Sequence, residues 1–421
     1  MMLEDLIRIH SVTGKIDDSF IGIKIRNSIV DFYYPETYDL ADYITDLKQF
    51  RKDVLAILKT IEIAKTLSAD KAKIESSFSR NNFAMLSYLW IIKDYLENGF
   101  YINREKDLRI NQKGKINWKR TIQGQPIVSN GNVIYKDITV EIKQSLDDII
   151  VDIHKLCLKK SIDFIGWLFN IDSKTFYIKP YNSALIYRYI HVLKTEIDKT
   201  FDDYKKLRLN HMFKVIEGID GDNDSNEFVY GVDNYFYIFE RMVDSIFGNQ
   251  KDLRRFNPKA NWFLVSDDFK RTPSSELRPD TIFIDQSTKI AYIIDSKYYR
   301  YGFTGQIEDL PETTSIQKQI TYGDYLKKHF KDYNIKDIRN AFILPYDKHH
   351  NVFRTSELIH YIGFSTAEWK DNNEKYESIY AFLVDTKHII SFWNKGNHEK
   401  DIEMLIEQIE EAVNKKETLP L

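Results

Sequence analysis

Apolar residues recur at two spacings along this chain, and the change from one to the other divides it into elements. From about 40 to 100 and from 140 to 210 they repeat every three or four residues, which predicts helices; Phe83, Leu86, Tyr88, Leu89 and Ile92 form the stripe of one core helix. Strand-like pieces interrupt this pattern near Phe20 to Tyr34 and Asn132 to Val140. Between Asn234 and Phe247 the residues Phe236, Phe239, Val243 and Phe247, widened by Ile238, Met242 and Ile246, predict an amphipathic helix. Short uninterrupted apolar runs follow at Thr281 to Ile284 and Ile290 to Ile294, each the length of one buried strand. A helix from about Thr314 to Phe330, with Pro311 and Thr313 or Thr314 as start signals, leads to a further strand at Ala341 to Pro345. Strand, helix, strand in that order is a crossover unit. Ser378 to Thr386 and His388 to Trp393 read as late strands before an amphipathic helix from Asp401 to Val413.

Glu217 to Glu227, rich in Gly, Asp and Asn, breaks the two patterns and predicts a linker. A calcium loop starting at Asp220 fails, since Ser225 stands where Gly is required and Gly231 where the terminal Glu belongs. The expectation is an α/β protein: a mostly helical (α+β) region over 1–217, then a mixed-sheet domain over 228–421.

The two strands of 281–294 carry candidate chemistry at their open end. If Ser287 and Thr288 form a two-residue loop, Gln286 faces Lys289, and counting outward brings Asp280 opposite Asp295. Directly opposed residues have Cβ atoms roughly 5 Å apart on one face, and the period of two puts Lys297 on that face too. Adjacent carboxylates at the end of an apolar hairpin raise one another's pKa unless a cation lies between them. Oxygen-only ligands suit Mg²⁺, with Mn²⁺ able to take its place. Lys297 could orient or deprotonate an attacking water and offset charge on a pentavalent phosphate. Upstream, Glu240 lies at the edge of its helical stripe, about 20° from Phe247 and 40° from Phe236 on a helical wheel. It either pairs with Arg241 or Arg254 or points into the metal site. Gln319, on the helix after the hairpin, could reach back to a phosphate or a metal-bound water, or stand as a solvated amide. His349-His350 lacks a cysteine or third histidine nearby, so a turn is expected there instead of a metal site.

This order of elements is similar to the PD-(D/E)xK nuclease superfamily, whose core is a mixed sheet flanked by helices. Glu240 matches its helix carboxylate, Asp280 and Asp295 its acidic metal ligands and Lys297 its lysine. More closely, Arg278-Pro279-Asp280, Asp295-Ser296-Lys297-Tyr298-Tyr299, the string Ile316 to Tyr322 and the string Gly114 to Ile122 resemble the LlaJI-type restriction endonucleases, relatives of the McrC nuclease subunit. The resemblance implies cleavage of double-stranded DNA in defence against phage, often with a McrB-like AAA+ partner that hydrolyses GTP. No G-x-x-x-x-G-K-[ST] string occurs; Gly114-Lys115 is followed by Ile116, so any such GTPase is a separate polypeptide. One active site cuts one strand, so duplex cleavage implies two copies, as in a homodimer on DNA, or sequential nicking.

Composition adjusts this picture in three places. The chain has 60 basic and 63 acidic residues, a net charge of −3, so DNA contacts require the cations to be segregated. They gather between Arg104 and Arg120, where Lys113, Lys115, Lys119 and Arg120 flank Asn117 and Trp118. Lys and Arg there would neutralise phosphates while Trp118 and Asn117 contact a base or sugar; a solvated basic loop is the alternative. The single cysteine, Cys157, excludes an intramolecular disulfide and a cysteine zinc cluster, and it lies on an apolar helical stripe. No long uncharged apolar run and no basic-then-apolar start is present, so no membrane span and a cytoplasmic location are expected. The function expected is a metal-dependent restriction endonuclease. The alternatives are a repair or junction-resolving nuclease of the same superfamily and a non-catalytic DNA-binding or motor-docking subunit.

Overall fold

The structure, a computed structural model, describes residues 7–14, 18–26, 29–67, 85–101, 107–129, 132–142, 145–171, 180–221, 227–371, 373–394 and 399–417. In chain order its elements are β1 (Ile7–Val12), β2 (Ile21–Arg26), β3 (Ile29–Pro35), α1 (Leu47–Leu67), α2 (Met85–Asn98), β4 (Asp107–Ile110), β5 (Lys115–Ile116), α3 (Trp118–Thr121) and β6 (Ile127–Ser129). There follow β7 (Asn132–Ile134), β8 (Thr139–Ile142), α4 (Ser145–Phe169), α5 (Ser183–Lys199), α6 (Asp203–Gly221), β9 (Glu227–Val232), α7 (Phe236–Phe247), β10 (Lys259–Phe263) and β11 (Arg271–Glu276). The remainder is β12 (Thr281–Ile284), β13 (Ile290–Ser296), α8 (Tyr301–Thr304), α9 (Thr313–Lys328), α10 (Phe330–Tyr333), β14 (Asp337–Tyr346), β15 (Ile359–Ser365), β16 (Ile379–Asp385), α11 (Thr386–Trp393) and α12 (Glu399–Glu417). The protein is thus mixed α/β. Among the described residues no helix is long and apolar enough to cross a membrane.

The chain forms two compact units, one from 25–29 and 81–228, the other from 2–24, 30–80 and 229–421. The first is built on α2, α4, α5 and α6, with a three-stranded sheet β4-β8-β5 and the hairpin β6-β7. Cys157 is fully buried in it on α4, where burial pushes its thiol well above the ordinary range and leaves it an inert core residue. Arg208 of α6 forks onto the buried Asp94 of α2, Nε to Oδ2 at 2.7 Å and an amino nitrogen to Oδ1 at 2.9 Å, so neither charge is stranded. The first part of the linker expected at 217–227 is helical. Helix α6 runs through Gly218 to Gly221, and 222–226 lies outside the described residues.

The second unit holds the sheet β1-β3-β2-β9 and a five-stranded mixed sheet ordered β12-β13-β14-β16-β15. In the larger sheet β13, β14 and β16 run parallel, while β12 and β15 are antiparallel edges. Helix α9 covers one face with Tyr322 and Leu326 against Ile282, Ala291 and Ile293. On the other face Phe283, Tyr292 and Ile294 meet Phe247 of α7 and Leu405 and Ile409 of α12. Both faces of β13 are therefore covered, which is why it reads as a continuous apolar run.

Two expectations differ from this arrangement. Residues 2–24 and 30–80, expected with the N-terminal region, group with the 229–421 unit. There β9 continues the sheet beside β2, with glycine at both crossing points; a Cβ at Gly22 would meet the Tyr230 carbonyl oxygen at 2.2 Å. Helix α1 packs on α7 and α11, and Lys387 of α11 holds the buried Asp53 of α1 at 3.0 Å. These links join residues hundreds of positions apart, which a reading by order along the chain does not capture. The second difference is 388–393, expected as a strand and found in helix α11. The Asp385 carboxylate accepts from the His388 N–H at 2.9 Å and caps the helix, and Ile389, Ile390 and Trp393 bury at helical spacing.

Candidate active site

The β12-β13 hairpin has the register that the apolar runs predict. Thr281 pairs with Ile294 and Ile284 with Ala291, so the next positions outward, Asp280 and Asp295, stand opposite each other. The connection is wider than a two-residue loop. The Asp285 N–H donates to the Ile290 carbonyl at 3.0 Å and its own carbonyl accepts from the Lys289 N–H at 2.9 Å, with Lys289 at φ 63°. The Asp285 carboxylate folds this turn by accepting from Ser287 and Thr288. Widening the turn symmetrically leaves the pairing, and hence the two carboxylates, where they were expected.

Asp295 is 8 % exposed near the end of β13, and the Lys297 ammonium lies 2.5 Å from its Oδ2. The Lys297 N–H donates to the Ile343 carbonyl at 2.8 Å, extending the β13-β14 ladder and fixing the backbone from which the ammonium reaches back. Asp280 sits one residue before β12, where its Oδ2 accepts from the Ser296 N–H at 3.1 Å. The buried Pro279 stiffens its approach, and the Tyr322 hydroxyl on α9 donates to the Arg278 carbonyl at 2.8 Å. Glu240 enters from α7. Ile238, Phe239, Met242, Val243, Ile246 and Phe247 bury that helix, while the Phe239 ring lies 5.5 Å from the ring of Tyr298, the residue after Lys297. The helix is thereby held against the segment that carries the lysine, with Glu240 partly exposed beside the hairpin end.

The electrostatics follow from this crowding. Burial, then the Asp295 and Glu240 carboxylates, push Asp280 well above the usual carboxylate range, with Lys297 and the Ser296 N–H only partly opposing them. Burial works against the Lys297 ammonium, but Asp295 and Asp280 outweigh it, so its pKa lies above that of an ordinary lysine and the group stays charged. Tyr322 is raised by burial and by the same two carboxylates. Three carboxylates with one lysine between them leave an excess of negative charge, and a hard divalent cation fits that donor set.

A cavity of about 680 Å³ opens at this end of the hairpin, with Glu240, Asp244, Arg254, Glu276, Arg278 and Asp280 in its wall. Sequence reasoning missed Asp244, one turn after Glu240 on α7, where the helical period alone could have shown it. Burial raises its carboxyl, and Arg241 at 3.8 Å offsets part of that. Gln319 is fully buried on α9; its amide donates to the Ala341 carbonyl at 3.2 Å, and among the described residues its Oε1 has no hydrogen-bond partner. It is thus bound to the sheet backbone, not a solvated amide. The turn expected at His349-His350 is present, with both N–H groups donating to Asp347 Oδ1 at 2.8 and 3.1 Å, although ligand atoms of Asp39, Asp347 and His350 lie within 4.8 Å of one another there.

The basic run lies in the other unit, on β5 and α3. Lys113, Lys115, Lys119 and Arg120 are exposed there, with Trp118 58 % exposed. The Asn117 side chain accepts from the Arg120 N–H at 3.1 Å and caps α3, a local structural task. Arg104 and Lys106 lie outside the described residues.

Fold and site together define a mixed-sheet α/β protein with a carboxylate and lysine cluster at the open end of a β-hairpin, beside a wide cavity. The chain matches the LlaJI restriction endonuclease model over residues 20–386 and belongs to that family. A search of curated proteins gave no match. Among solved structures the chain is similar to one in a half-complex from the tetradecameric assembly of Thermococcus gammatolerans McrB AAA+ hexamers with bound McrC. The TM-score is 0.38 and the identity 12 %, over 90 % of this chain and 82 % of that one.

Proposed function

We propose that this chain is the nuclease of a restriction system, hydrolysing phosphodiester bonds of double-stranded DNA with a divalent metal at a PD-(D/E)xK-type centre. The observation that carries the reading is the opposed pair Asp280 and Asp295 with the Lys297 ammonium on Asp295. Family membership supplies the restriction context. Asp280 and Asp295 would hold the metal, with Glu240 completing or supporting the set, and Mg²⁺ suits these oxygen ligands best, with Mn²⁺ as substitute. The metal, when bound, would polarise the phosphoryl oxygen and lower the pKa of the attacking water.

The chain's own residues do the rest. Lys297, held charged by its neighbours, orients the water and offsets charge on the phosphate; its raised pKa argues against a role as the base. Asp280, with its proton affinity raised, would have to lose its proton to serve as a ligand, so metal affinity should rise with pH. Gln319 supports the geometry by holding α9 to the backbone of β14. Arg254 and Arg278, in the cavity wall, suit contacts to the DNA backbone. Lys113, Lys115, Lys119, Arg120 and Trp118 are proposed as a second DNA contact, with Asn117 shaping the helix that presents them. An AAA+ GTPase partner subunit and a homodimer on DNA complete the proposal; the first rests on membership of the restriction family, the second on one active site per strand.

The test is incubation of wild type and Lys297→Ala with unmodified plasmid, in Mg²⁺ or EDTA, alone and with the AAA+ subunit and GTP. Discrete fragments from wild type only, and only with Mg²⁺, are expected. Intact plasmid in every lane would refute the enzyme reading and favour a DNA-binding subunit.

A further inference from the structure

Among the described residues the hairpin β10-β11, just upstream of Arg278-Pro279-Asp280, takes part in neither larger sheet, and its strands pair with each other alone. Trp262 and Phe263 are neighbours on one strand and so point to opposite faces, yet both are exposed, at 61 % and 57 %. Leu264, Val265 and Phe269 at the tip are exposed as well, Val265 at 78 %. A two-stranded ribbon is marginal on its own, and large apolar side chains exposed on both strand faces and at the tip mark this one as a binding element.

What covers it is indicated by charge and by place. Between Lys251 and Arg278 there are seven basic and four acidic residues, a local excess of cations in a chain whose net charge is −3. Asp252 pairs with Arg254 at 2.9 Å, and Glu276 with Arg278 at 3.1 Å and Lys259 at 3.9 Å, so the excess is three cations. Lys259, Lys270 and Arg271 are exposed along the ribbon, and Arg271 also ties the two strands together through Asn261 at 2.9 Å. The base of the ribbon runs straight into the catalytic cavity: Glu276 ends β11 and lines it, as do Arg278, Pro279 and Asp280. A β-strand rises about 3.3 Å per residue, so the ribbon extends roughly 15–20 Å, and the major groove of B-DNA, about 12 Å wide, admits a two-stranded ribbon.

We propose that β10-β11 is a duplex-binding ribbon that enters the major groove beside the scissile phosphate, with Lys259, Lys270 and Arg271 on phosphates and Trp262, Val265 and Phe269 against base edges. The inference rests on the nuclease reading of the neighbouring site, and it adds a DNA element that the sequence motifs do not contain. Apolar side chains at the base edges would favour thymine methyl groups, so the ribbon also contributes to sequence preference.

The test is a fluorescence-anisotropy titration of a labelled plasmid-derived duplex with the full chain in EDTA, using Trp262→Ala/Phe269→Ala and Lys259→Ala/Lys270→Ala. Each double variant should bind tenfold or more weakly with an unchanged melting temperature. The lysine variant should also flatten the slope of log Kd against log salt by about 1.8, the value for two lost phosphate contacts. Wild-type affinity and slope in both variants would overturn the ribbon proposal. So would unchanged DNA affinity with a shift in oligomeric state on size exclusion, which would assign the ribbon to a protein contact. Asp280→Ala separates the two readings: if it binds DNA as wild type does and cuts nothing, the nuclease reading stands whatever the ribbon variants do. A wild type that neither binds nor cuts DNA would overturn both.

Discussion

Replacing Asp280 by Asn should stabilise the metal-free protein while destroying its activity. The side chain keeps an oxygen for the Ser296 N–H, which donates at 3.1 Å, so the backbone contact survives and only the charge is removed. Two like charges at the roughly 5 Å separation of opposed strand residues repel by about 3 kcal/mol at an effective dielectric of about 20. Lys297 at 2.5 Å from Asp295 cancels much of this, and protonation of Asp280 relieves more. A net gain of about 1–2 kcal/mol remains, or roughly 2–8 °C in Tm for a unit of this size. The sign depends on pH. Because the folded-state pKa of Asp280 is raised, the folded state holds a proton that the unfolded chain has lost, so wild-type stability falls as pH climbs from about 4 through the raised value. The advantage of Asn should therefore be small near pH 4 and largest at about pH 8. Millimolar Mg²⁺ should raise the Tm of wild type and leave that of the variant unmoved. The assay is differential scanning calorimetry in EDTA and in Mg²⁺ at both pH values. An Asp280→Asn protein less stable than wild type in EDTA at about pH 8 would show that Asp280 is a satisfied structural group, and the reasoning would fail.

Lys297→Ala should abolish cleavage and cost about 1–3 kcal/mol in EDTA, because Asp295 is left largely buried without its cation; urea unfolding with and without Mg²⁺ should show the metal restoring part of the loss. Arg208→Ala strands Asp94, which is 3 % exposed, and should cost about 3–5 kcal/mol, with Arg208→Ala/Asp94→Asn recovering part of it in the same measurement. Gly22→Ala forces a Cβ to within 2.2 Å of the Tyr230 carbonyl at a residue with φ 148°; the β2-β9 edge should open, read as faster amide exchange at β9.

What the sequence shows of this molecule depends on how far apart the interacting residues lie. The hairpin that carries the candidate site is legible because Thr281 to Ile284 and Ile290 to Ile294 are short apolar runs with a compact connection. The period of two then fixes which carboxylates face each other even though the turn is wider than a two-residue loop. Glu240 is legible as a boundary residue of its stripe, but its approach to the hairpin depends on Phe239 packing against Tyr298, which no local pattern reveals. The residues of helix α11 suit a strand as well, since Ile389, Ile390 and Phe392 are good strand formers; the Asp385 cap decides between the two. The ribbon β10-β11 is not legible in the sequence, because Trp262 to Val265 is an apolar run whose residues are exposed, and binary patterning assigns such residues to the interior. The union of β2 with β9, and of α1 with α7 and α11, rests on contacts across most of the chain and leaves no trace in spacing.

The central claim is that the Asp280, Asp295 and Lys297 cluster cuts DNA. Its most direct test is Mg²⁺-dependent cleavage of phage DNA by wild type, by Asp280→Ala and by Asp347→Ala, a buried aspartate in the His349 turn on which no catalytic role is placed. Cleavage by wild type and Asp347→Ala with none by Asp280→Ala, all three melting cooperatively, is the predicted result. Equal cleavage by Asp280→Ala would contradict the account and move the chemistry elsewhere in the chain.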